Sequence, residues 1–307
     1  MKRVLIATEK PFASSAVQQI IEILANAGYE VRRLEKYTSK SDLLEAVKDV
    51  HGLIVRSDVV DRQVIDAALE LQVVVRAGSG FDNLDLAACT ERGIVAMNTP
   101  GQNSNAVAEL AIGMMIFMAR GNFKGGSGSE LKGKTVGVYG CGNIGRRVAR
   151  IAQGLGMKVV ALDPCITKVS MEPYEIKVVQ SVGELFGMSD YLSLHIPVNE
   201  KTKKSVNFEL MSKMPKGATL INTARKEVID EDGLKKVFEM RPDFKYISDI
   251  APSCHEELAG KYEIRYYSTP KKQGAETSEA NVNAGVAASE QIVAFFKDGD
   301  QTYRVNK

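Results

Sequence analysis

Residues 134–163 constrain the fold of this chain more than any other stretch of the sequence. A short apolar run precedes Gly140, Gly142 and Gly145, which have the spacing G-x-G-x-x-G. Apolar residues then recur every three or four positions, and a second apolar run ends on Asp163. Short apolar runs are typical of buried strands, and the wider spacing is typical of a helical face. The order therefore predicts a strand, a glycine turn, a helix, a second strand and an acid in one unit.

A unit of this kind suits a dinucleotide. Gly140 would form the tight turn, Gly142 would let the backbone approach a pyrophosphate, and Gly145 would let helix and strand pack closely. The helix N-terminus offers N–H groups and a positive dipole to phosphates. Asp163 lies close to where an acid accepts hydrogen bonds from the ribose, about 20 residues past the last glycine. Its charge would repel a 2′-phosphate, so NAD is expected in preference to NADP. The alternative is that the glycines only turn a tight loop.

The composition limits the class of protein. A chain of 307 residues with 44% hydrophobic residues is long enough for two domains. A formal charge of +2 is too small to argue for nucleic acid or an anionic membrane as a partner. The four scattered cysteines predict reduced thiols in a cytoplasmic protein and no metal site. The N-terminus predicts a first strand rather than a signal peptide, and the most apolar stretch, 106–118, is too short to cross a bilayer.

Short apolar runs alternate with amphipathic segments along most of the remaining chain. This alternation predicts parallel strands joined by right-handed helical crossovers, and hence an α/β protein with two doubly wound, Rossmann-type sheets. The glycine- and serine-rich segment 121–133 predicts a flexible connection. We predict a discontinuous substrate-binding domain of residues 1–99 plus 285–307 and an NAD-binding domain of residues 100–284. We expect the active-site cleft between these two domains.

Two arginines follow neighbouring predicted strands of the first domain. Arg56 ends one apolar run, and Arg76 ends the next and opens a loop of small residues, 77–80. Ligands of doubly wound sheets bind beyond the carboxyl ends of the strands. Two guanidinium groups there, beside the bare backbone N–H groups of a glycine loop, predict an anion clamp. The alternative is that each arginine is a solvated cap on the sheet.

With these residues in view, the sequence resembles the D-isomer-specific 2-hydroxy acid dehydrogenases along nearly its whole length. The motifs that carry the resemblance are IVRS (54–57), VRAGSGFDNLD (75–85), VAMNTPGQNSNAVAEL (95–110), GCGNIG (140–145), HIP (195–197) and LINTARKEVIDEDGL (220–234). The first two are most similar to the branch that acts on phosphoglycerate. The resemblance implies NAD-dependent oxidation of D-3-phosphoglycerate to 3-phosphohydroxypyruvate, the first step of phosphorylated serine biosynthesis, by a cytoplasmic homodimer.

The resemblance also implies roles for individual residues. Arg225 takes the place of the arginine that grips the substrate carboxylate and polarises the carbonyl. The implied substrate residues are Arg56 and Arg76 at the distal phosphate, Gly78, Ser79 and Asn103 at the carboxylate region, and Ser57. The implied cofactor contacts are Gly140, Gly142, Asn143, Ile144, Gly145, Asp163, Pro164, His195, Ile196, Pro197, Thr202, Thr223, Ala224, Asp249 and Gly274.

Two positions depart from the family pattern. The usual general acid/base histidine is replaced by Lys271, and its glutamate partner is replaced by Cys254. A lysine must lose its proton to act as a base. The nearby cations Arg225, Arg76 and Lys272, together with partial burial when the cleft closes, would favour that loss. Its ammonium form is a competent proton donor to a ketone. We therefore expect Lys271 to be the general acid/base.

Several alternatives stay open at this point. Lys271 could be a surface lysine with the acid/base elsewhere, His255 being the rival histidine, and either Lys271 or Lys272 could face the cleft. The short linker at 121–133 leaves the dimer contacts open. A rival function in the same fold is a reductase for glyoxylate, hydroxypyruvate or another small 2-keto acid. A rival of another class is a non-catalytic, NAD-sensing binding protein.

Overall fold

The computed structural model describes residues 1–164 and 176–306. The chain divides into two compact units, which are residues 1–103 with 277–307 (unit 1) and residues 104–276 (unit 2). Both breaks coincide with the start of a long helix. The boundaries predicted at 99/100 and 284/285, with their substrate and NAD roles, stay a prediction.

Unit 1 is built around a parallel sheet that alternates with helices. Its strands are β1 (Arg3–Thr8), β2 (Glu30–Glu35), β3 (Gly52–Val55), β4 (Val73–Arg76) and β5 (Val95–Asn98). Its helices are α1 (Ser14–Asn26), α2 (Lys40–Ala46), α3 (Arg62–Ala67), α4 (Leu86–Glu91) and, from the end of the chain, α11 (Ser278–Asp298). The strand order is β2-β1-β3-β4-β5, and every pair is parallel.

Both faces of this sheet are buried, as expected for a parallel sheet. Alternate residues of β1 point to opposite faces, so that Leu5 joins one buried cluster and Val4 and Ile6 join another. The second cluster contains residues of both α1 and α11. The last helix of the chain therefore completes the core that the first strand begins.

Unit 2 repeats the plan with a larger sheet. Its strands are β6 (Thr135–Tyr139), β7 (Lys158–Leu162), β8 (Lys177–Val178), β9 (Tyr191–Leu194), β10 (Thr219–Asn222), β11 (Lys245–Ser248) and β12 (Tyr266–Ser268). Its helices are α5 (Ser104–Ala119), α6 (Asn143–Gly154), α7 (Val182–Met188), α8 (Phe208–Lys213), α9 (Glu231–Met240) and α10 (His255–Lys261). Within the described part of the chain the order is β12-β11-β10-β9-β6-β7-β8, all parallel. The prediction of two parallel α/β sheets is confirmed.

Candidate active site

The glycine turn between β6 and α6 has the geometry that a dinucleotide requires. Gly140 has φ of +90°, and a Cβ there would lie 2.7 Å from the carbonyl oxygen of His195. A Cβ on Gly145 would lie 2.1 Å from the carbonyl oxygen of Gly140, so only glycine lets the helix approach the turn this closely. Gly142 precedes α6. Among the described residues, an added Cβ on Gly142 would meet no atom within 4 Å, and no side chain caps the helix. The exposed backbone at the helix start therefore fits a pyrophosphate.

Asp163 follows β7 and is tied to the same turn. Its Oδ2 accepts a hydrogen bond of 2.7 Å from the backbone N–H of Cys141. This bond places a carboxylate beside the glycine turn, where a ribose would lie. Asn143 and Ile144 are the first two residues of α6, and Pro164 is the last residue described before the gap at 165–175. Cys165, one of the four cysteines, lies outside the described residues.

The loop that follows β9 holds a neutral histidine. The His195 backbone N–H donates to the Tyr139 carbonyl at 2.7 Å, and its Nε2 lies 2.8 Å from Ser193 Oγ. Burial lowers the pKa of His195 to about 3. Its Nδ1 is buried and has no hydrogen-bond partner within residues 1–164 and 176–306. The imidazole is therefore uncharged near neutral pH and has one polar atom left to offer a ligand.

The same loop continues through Ile196, which is buried, to Pro197, which is exposed. The Thr202 hydroxyl donates to the Pro197 carbonyl at 2.6 Å and accepts from the Asn199 backbone N–H at 2.8 Å. Thr202 therefore stabilises the turn itself, and its predicted cofactor contact stays a prediction.

Arg225 is presented by a short loop that a buried asparagine holds. Asn222 ends β10; its Oδ1 accepts from the Ala224 backbone N–H at 3.0 Å, and its Nδ2 donates to the Arg225 carbonyl at 3.0 Å. The Arg225 guanidinium donates to the Ala224 carbonyl at 3.0 Å. The hydroxyl of Thr223 is buried without a partner in the described part of the chain. Asn222 fixes the loop, a role that the sequence did not indicate.

Asp249 follows β11 and is completely buried. Its Oδ1 accepts from the Gln273 backbone N–H at 2.7 Å and from the Thr269 hydroxyl at 3.1 Å. Its Oδ2 accepts from the Gly274 backbone N–H at 2.8 Å. The carboxylate therefore holds the loop that carries Lys271.

Lys271 itself is exposed, and so is Lys272. Across residues 1–164 and 176–306, no hydrogen bond or ion pair reaches the Lys271 amine. The partial burial of this amine on closure of the cleft stays a prediction. At the position of the missing glutamate, burial raises the pKa of Cys254 to about 11, so its thiol stays protonated. The rival His255 is bound to the Tyr266 hydroxyl, 2.7 Å from its Nδ1.

The six sequence-predicted substrate residues lie together at one edge of the unit 1 sheet. Arg56 directly follows Val55, which is paired in register with Arg76, so the two arginines occupy neighbouring strand tips. The Arg76 Nε donates to the Arg56 carbonyl at 2.9 Å. A Cβ on Gly78 would lie 1.7 Å from Arg76 Nη1, so the guanidinium rests on that glycine. Ser57 is exposed at the same tip.

The residues predicted to contact the substrate carboxylate, Gly78, Ser79 and Asn103, also lie close together. The Ser79 hydroxyl donates to Asn103 Oδ1 at 2.9 Å, and the Asn98 side chain donates to the Ser79 carbonyl at 2.7 Å. These bonds fix the glycine loop against the end of β5.

Asp58, a buried acid that the sequence analysis did not single out, holds the backbone of Arg56 at the end of β3. Asp58 is 2% exposed and accepts hydrogen bonds from the Tyr37 hydroxyl (2.8 Å), the Glu9 N–H (2.6 Å) and the Arg56 N–H (3.1 Å). Burial and the bond to Asp58 raise the pKa of Tyr37 well above its usual value. Asn83 donates to the Asp58 carbonyl at 2.7 Å. The only signal in the sequence is an acid two positions after a strand-tip arginine.

Comparison with known proteins decides the family. Residues 107–260 match the model of the D-isomer specific 2-hydroxyacid dehydrogenase, NAD binding domain. The hydroxypyruvate reductase of Thermotoga maritima is 34% identical across 86% of this chain and 90% of that protein. The NAD+-bound structure of 3-phosphoglycerate dehydrogenase from Entamoeba histolytica is 48% identical, with a TM-score of 0.90, over 100% of this chain and 99% of that one. The chain belongs to the D-isomer specific 2-hydroxyacid dehydrogenases.

Another relative in this family is longer. The D-3-phosphoglycerate dehydrogenase of Methanocaldococcus jannaschii is 37% identical across 86% of this chain and 53% of that protein. The chain thus spans about half the length of the curated phosphoglycerate dehydrogenases it matches. The match to an NAD binding domain and the NAD+-bound relative confirm the prediction of NAD as the cofactor.

Two further findings concern the described residues of this family member. Within the described residues, no helix is both long enough and apolar enough to cross a bilayer. Residues 1–164 and 176–306 hold no group of three or more His, Cys, Asp and Glu side chains placed to bind a metal ion.

Proposed function

We propose that this chain oxidises D-3-phosphoglycerate to 3-phosphohydroxypyruvate with NAD, by the reversible hydride transfer that begins phosphorylated serine biosynthesis. The observation that carries the proposal is the pair of guanidinium groups, Arg56 and Arg76, at neighbouring strand tips of unit 1. Arginine is the side chain best suited to hold a phosphate through paired N–H donors. The 48% identity to a phosphoglycerate dehydrogenase supports the same function.

In this proposal unit 2 supplies the groups that act at C2. Arg225 holds the substrate carboxylate and polarises the carbonyl oxygen as it forms. Lys271 takes the proton of the C2 hydroxyl in oxidation and returns a proton to the ketone in reduction. The glycine turn and Asp163 hold the pyrophosphate and ribose of the cofactor. When bound, NAD supplies the acceptor for the hydride of C2.

A second candidate is a reductase for hydroxypyruvate or glyoxylate. The relative from Thermotoga maritima favours it, because the match covers 90% of a hydroxypyruvate reductase. This enzyme would show little preference for a phosphorylated substrate, and its kinetics would change little when Arg56 is replaced.

Steady-state kinetics with NAD and either D-3-phosphoglycerate or D-glycerate separate the two candidates. Arg56→Gln should raise the KM for phosphoglycerate roughly 10- to 100-fold, because charge-assisted hydrogen bonds to the phosphate are lost. The KM for D-glycerate should stay within about threefold. Arg62→Gln, which changes an exposed arginine paired with Glu91 in the same unit, is the matched control. Small and equal effects of Arg56→Gln on both substrates would instead support the reductase.

The cytoplasmic homodimer inferred from the resemblance stays a proposal. Light scattering of the purified protein after size-exclusion chromatography tests the dimer directly.

A further inference from the structure

The loop of residues 269–274 carries Lys271 but is fixed by a residue outside it. Thr269 is anchored at both ends, since its backbone N–H donates to the Ser248 carbonyl at 3.0 Å and its hydroxyl donates to the Asp249 carbonyl at 2.9 Å. Beyond Lys271, the N–H groups of Gln273 and Gly274 both point to the Asp249 carboxylate. Asp249 is therefore bound to the loop on either side of the lysine.

The fit between this carboxylate and the loop is tight. Asp249 is 0% exposed, so its hydrogen bonds are made in a site that water does not reach. A Cβ on Gly274 would lie 2.9 Å from Asp249 Oδ2 and 3.4 Å from Val107 Cγ2. A side chain at 274 would push the loop away from the acid, although the backbone there is not in the left-handed region.

The same acid is linked to the loop that carries Arg225. The Asp249 backbone N–H donates to the Asn222 carbonyl at 2.9 Å, and the Asn222 side chain donates to the Arg225 carbonyl at 3.0 Å. A continuous set of hydrogen bonds therefore joins the backbone of Arg225, through Asn222 and Asp249, to the loop of Lys271.

We propose that Asp249 is a positioning residue that holds the Lys271 loop in register with Arg225 through the N–H groups of Gln273 and Gly274. The proposal rests on the function proposed above, since it assigns Asp249 a task for the Lys271 acid/base. It differs from the cofactor contact that the family resemblance implies for Asp249. A misplacement of about 1 Å in a catalytic group can lower a rate by a factor on the order of 100.

Amide hydrogen exchange of the protein without substrate tests the structural half of the proposal. Asp249→Asn replaces one of the two accepting oxygens with an N–H₂ group, so one of the two backbone N–H groups loses its acceptor. Exchange in peptides covering 268–276 should therefore rise by about tenfold or more. Asp190→Asn is the matched control. The Asp190 carboxylate also accepts a backbone N–H, that of Thr135 at the start of β6, at 2.8 Å. Unchanged exchange in Asp249→Asn would overturn the proposal.

Kinetics test the functional half. Asp249→Asn should lower kcat roughly 10- to 100-fold while the KM for phosphoglycerate and the Kd for NAD stay within about threefold. In a Lys271→Ala background the same substitution should lower the residual kcat no further, since the two residues act as one unit. A raised Kd for NAD, together with a loss that persists in the Lys271→Ala background, would overturn positioning in favour of direct cofactor binding.

A second variant covers the case in which Asp249→Asn does not fold. Gly274→Ala keeps the acid and displaces the loop, so it should lower kcat in the same direction. Gly260→Ala, where an added Cβ meets no described atom within 4 Å, should leave kcat unchanged. Equal kcat values for Gly274→Ala and wild type would count against the proposal. If wild type does not oxidise phosphoglycerate, the proposed function fails, and the exchange experiment still decides whether Asp249 holds the loop.

Discussion

Two loops of this protein, one in each unit, present a cation that we propose for the active site, and each is fixed by a buried aspartate. Asp58 accepts the backbone N–H of Arg56, and Asp249 accepts two backbone N–H groups next to Lys271. The two loops differ in whether the side chain of the cation is also held by hydrogen bonds. The Arg56 guanidinium also donates to the carbonyls of Lys10 and Pro11, at 3.2 and 3.1 Å, whereas the exposed Lys271 amine has no partner among the residues the structure describes.

This difference fits the two proposed tasks. A group that binds a phosphate gains from being held in place before the ligand arrives, because less freedom is lost on binding. A group that carries a proton must gain and lose its charge, and a fixed ion pair would oppose that change. The backbone of each loop is held by hydrogen bonds. Among the described residues, the charged group of Arg56 is held as well, whereas that of Lys271 is not.

The largest expected effect comes from removing the Lys271 amine. Lys271→Ala should lower kcat about 10²- to 10⁴-fold, the usual contribution of general acid–base catalysis, with the Kd for NAD unchanged. Lys272→Ala is the matched control, since it removes the adjacent exposed lysine. NADH-fluorescence titration and steady-state kinetics at several pH values give both quantities. A greater loss of kcat in Lys272→Ala would transfer the acid/base role to that residue.

Replacing Asp58, which holds the Arg56 loop, should change kcat less and the free energy of unfolding more than replacing Lys271 does. Asp58→Asn leaves buried donors poorly paired, so the free energy of unfolding should fall by about 1 to 3 kcal/mol. The KM for phosphoglycerate should rise and kcat should change little, because Arg56 would lose its position and not its charge. Urea titration and kinetics give these values. Asp66→Asn, at an exposed aspartate of α3, is the control, and an equal loss of stability there would argue against a special role for Asp58.

His195 offers a third loop for comparison, in which the imidazole ring that the loop carries is itself buried. Its pKa of about 3 lies below the ordinary 6.5, so the unfolded chain binds a proton between these pH values that the folded chain does not. The stabilising contribution is complete above about pH 6.5 and is lost as the pH falls, by up to about 1.4 kcal/mol per pH unit. Urea unfolding at pH 7 and pH 5 should therefore show a smaller loss of stability for His195→Asn than for wild type. Equal losses in the two proteins would show that the ring is not kept neutral.

The sequence predicted the sheets and the glycine turn because each rests on a local pattern. Apolar runs mark the strands, and the spacing of Gly140, Gly142 and Gly145 marks the turn. The anchors could not be predicted in the same way, since their partners are distant in the chain. Asp58 binds the N–H of Glu9, and Asp249 binds that of Gln273, and nothing in a residue type reveals which backbone group it will meet. The burial of such acids depends on the packed loops around them.

Because α11 belongs to unit 1, the two units are expected to fold in a definite order during translation. Unit 2 is one continuous segment, 104–276, whereas the core of unit 1 includes Ala284, Ala288 and Ile292 from the end of the chain. The Asn306 side chain also accepts the Ala96 backbone N–H at 2.8 Å. Domains usually mature from the N-terminus as a ribosome releases them. Here residues 1–103 are translated before unit 2 but need α11, which is translated after unit 2. On the ribosome, unit 2 should therefore become resistant to protease before unit 1 does.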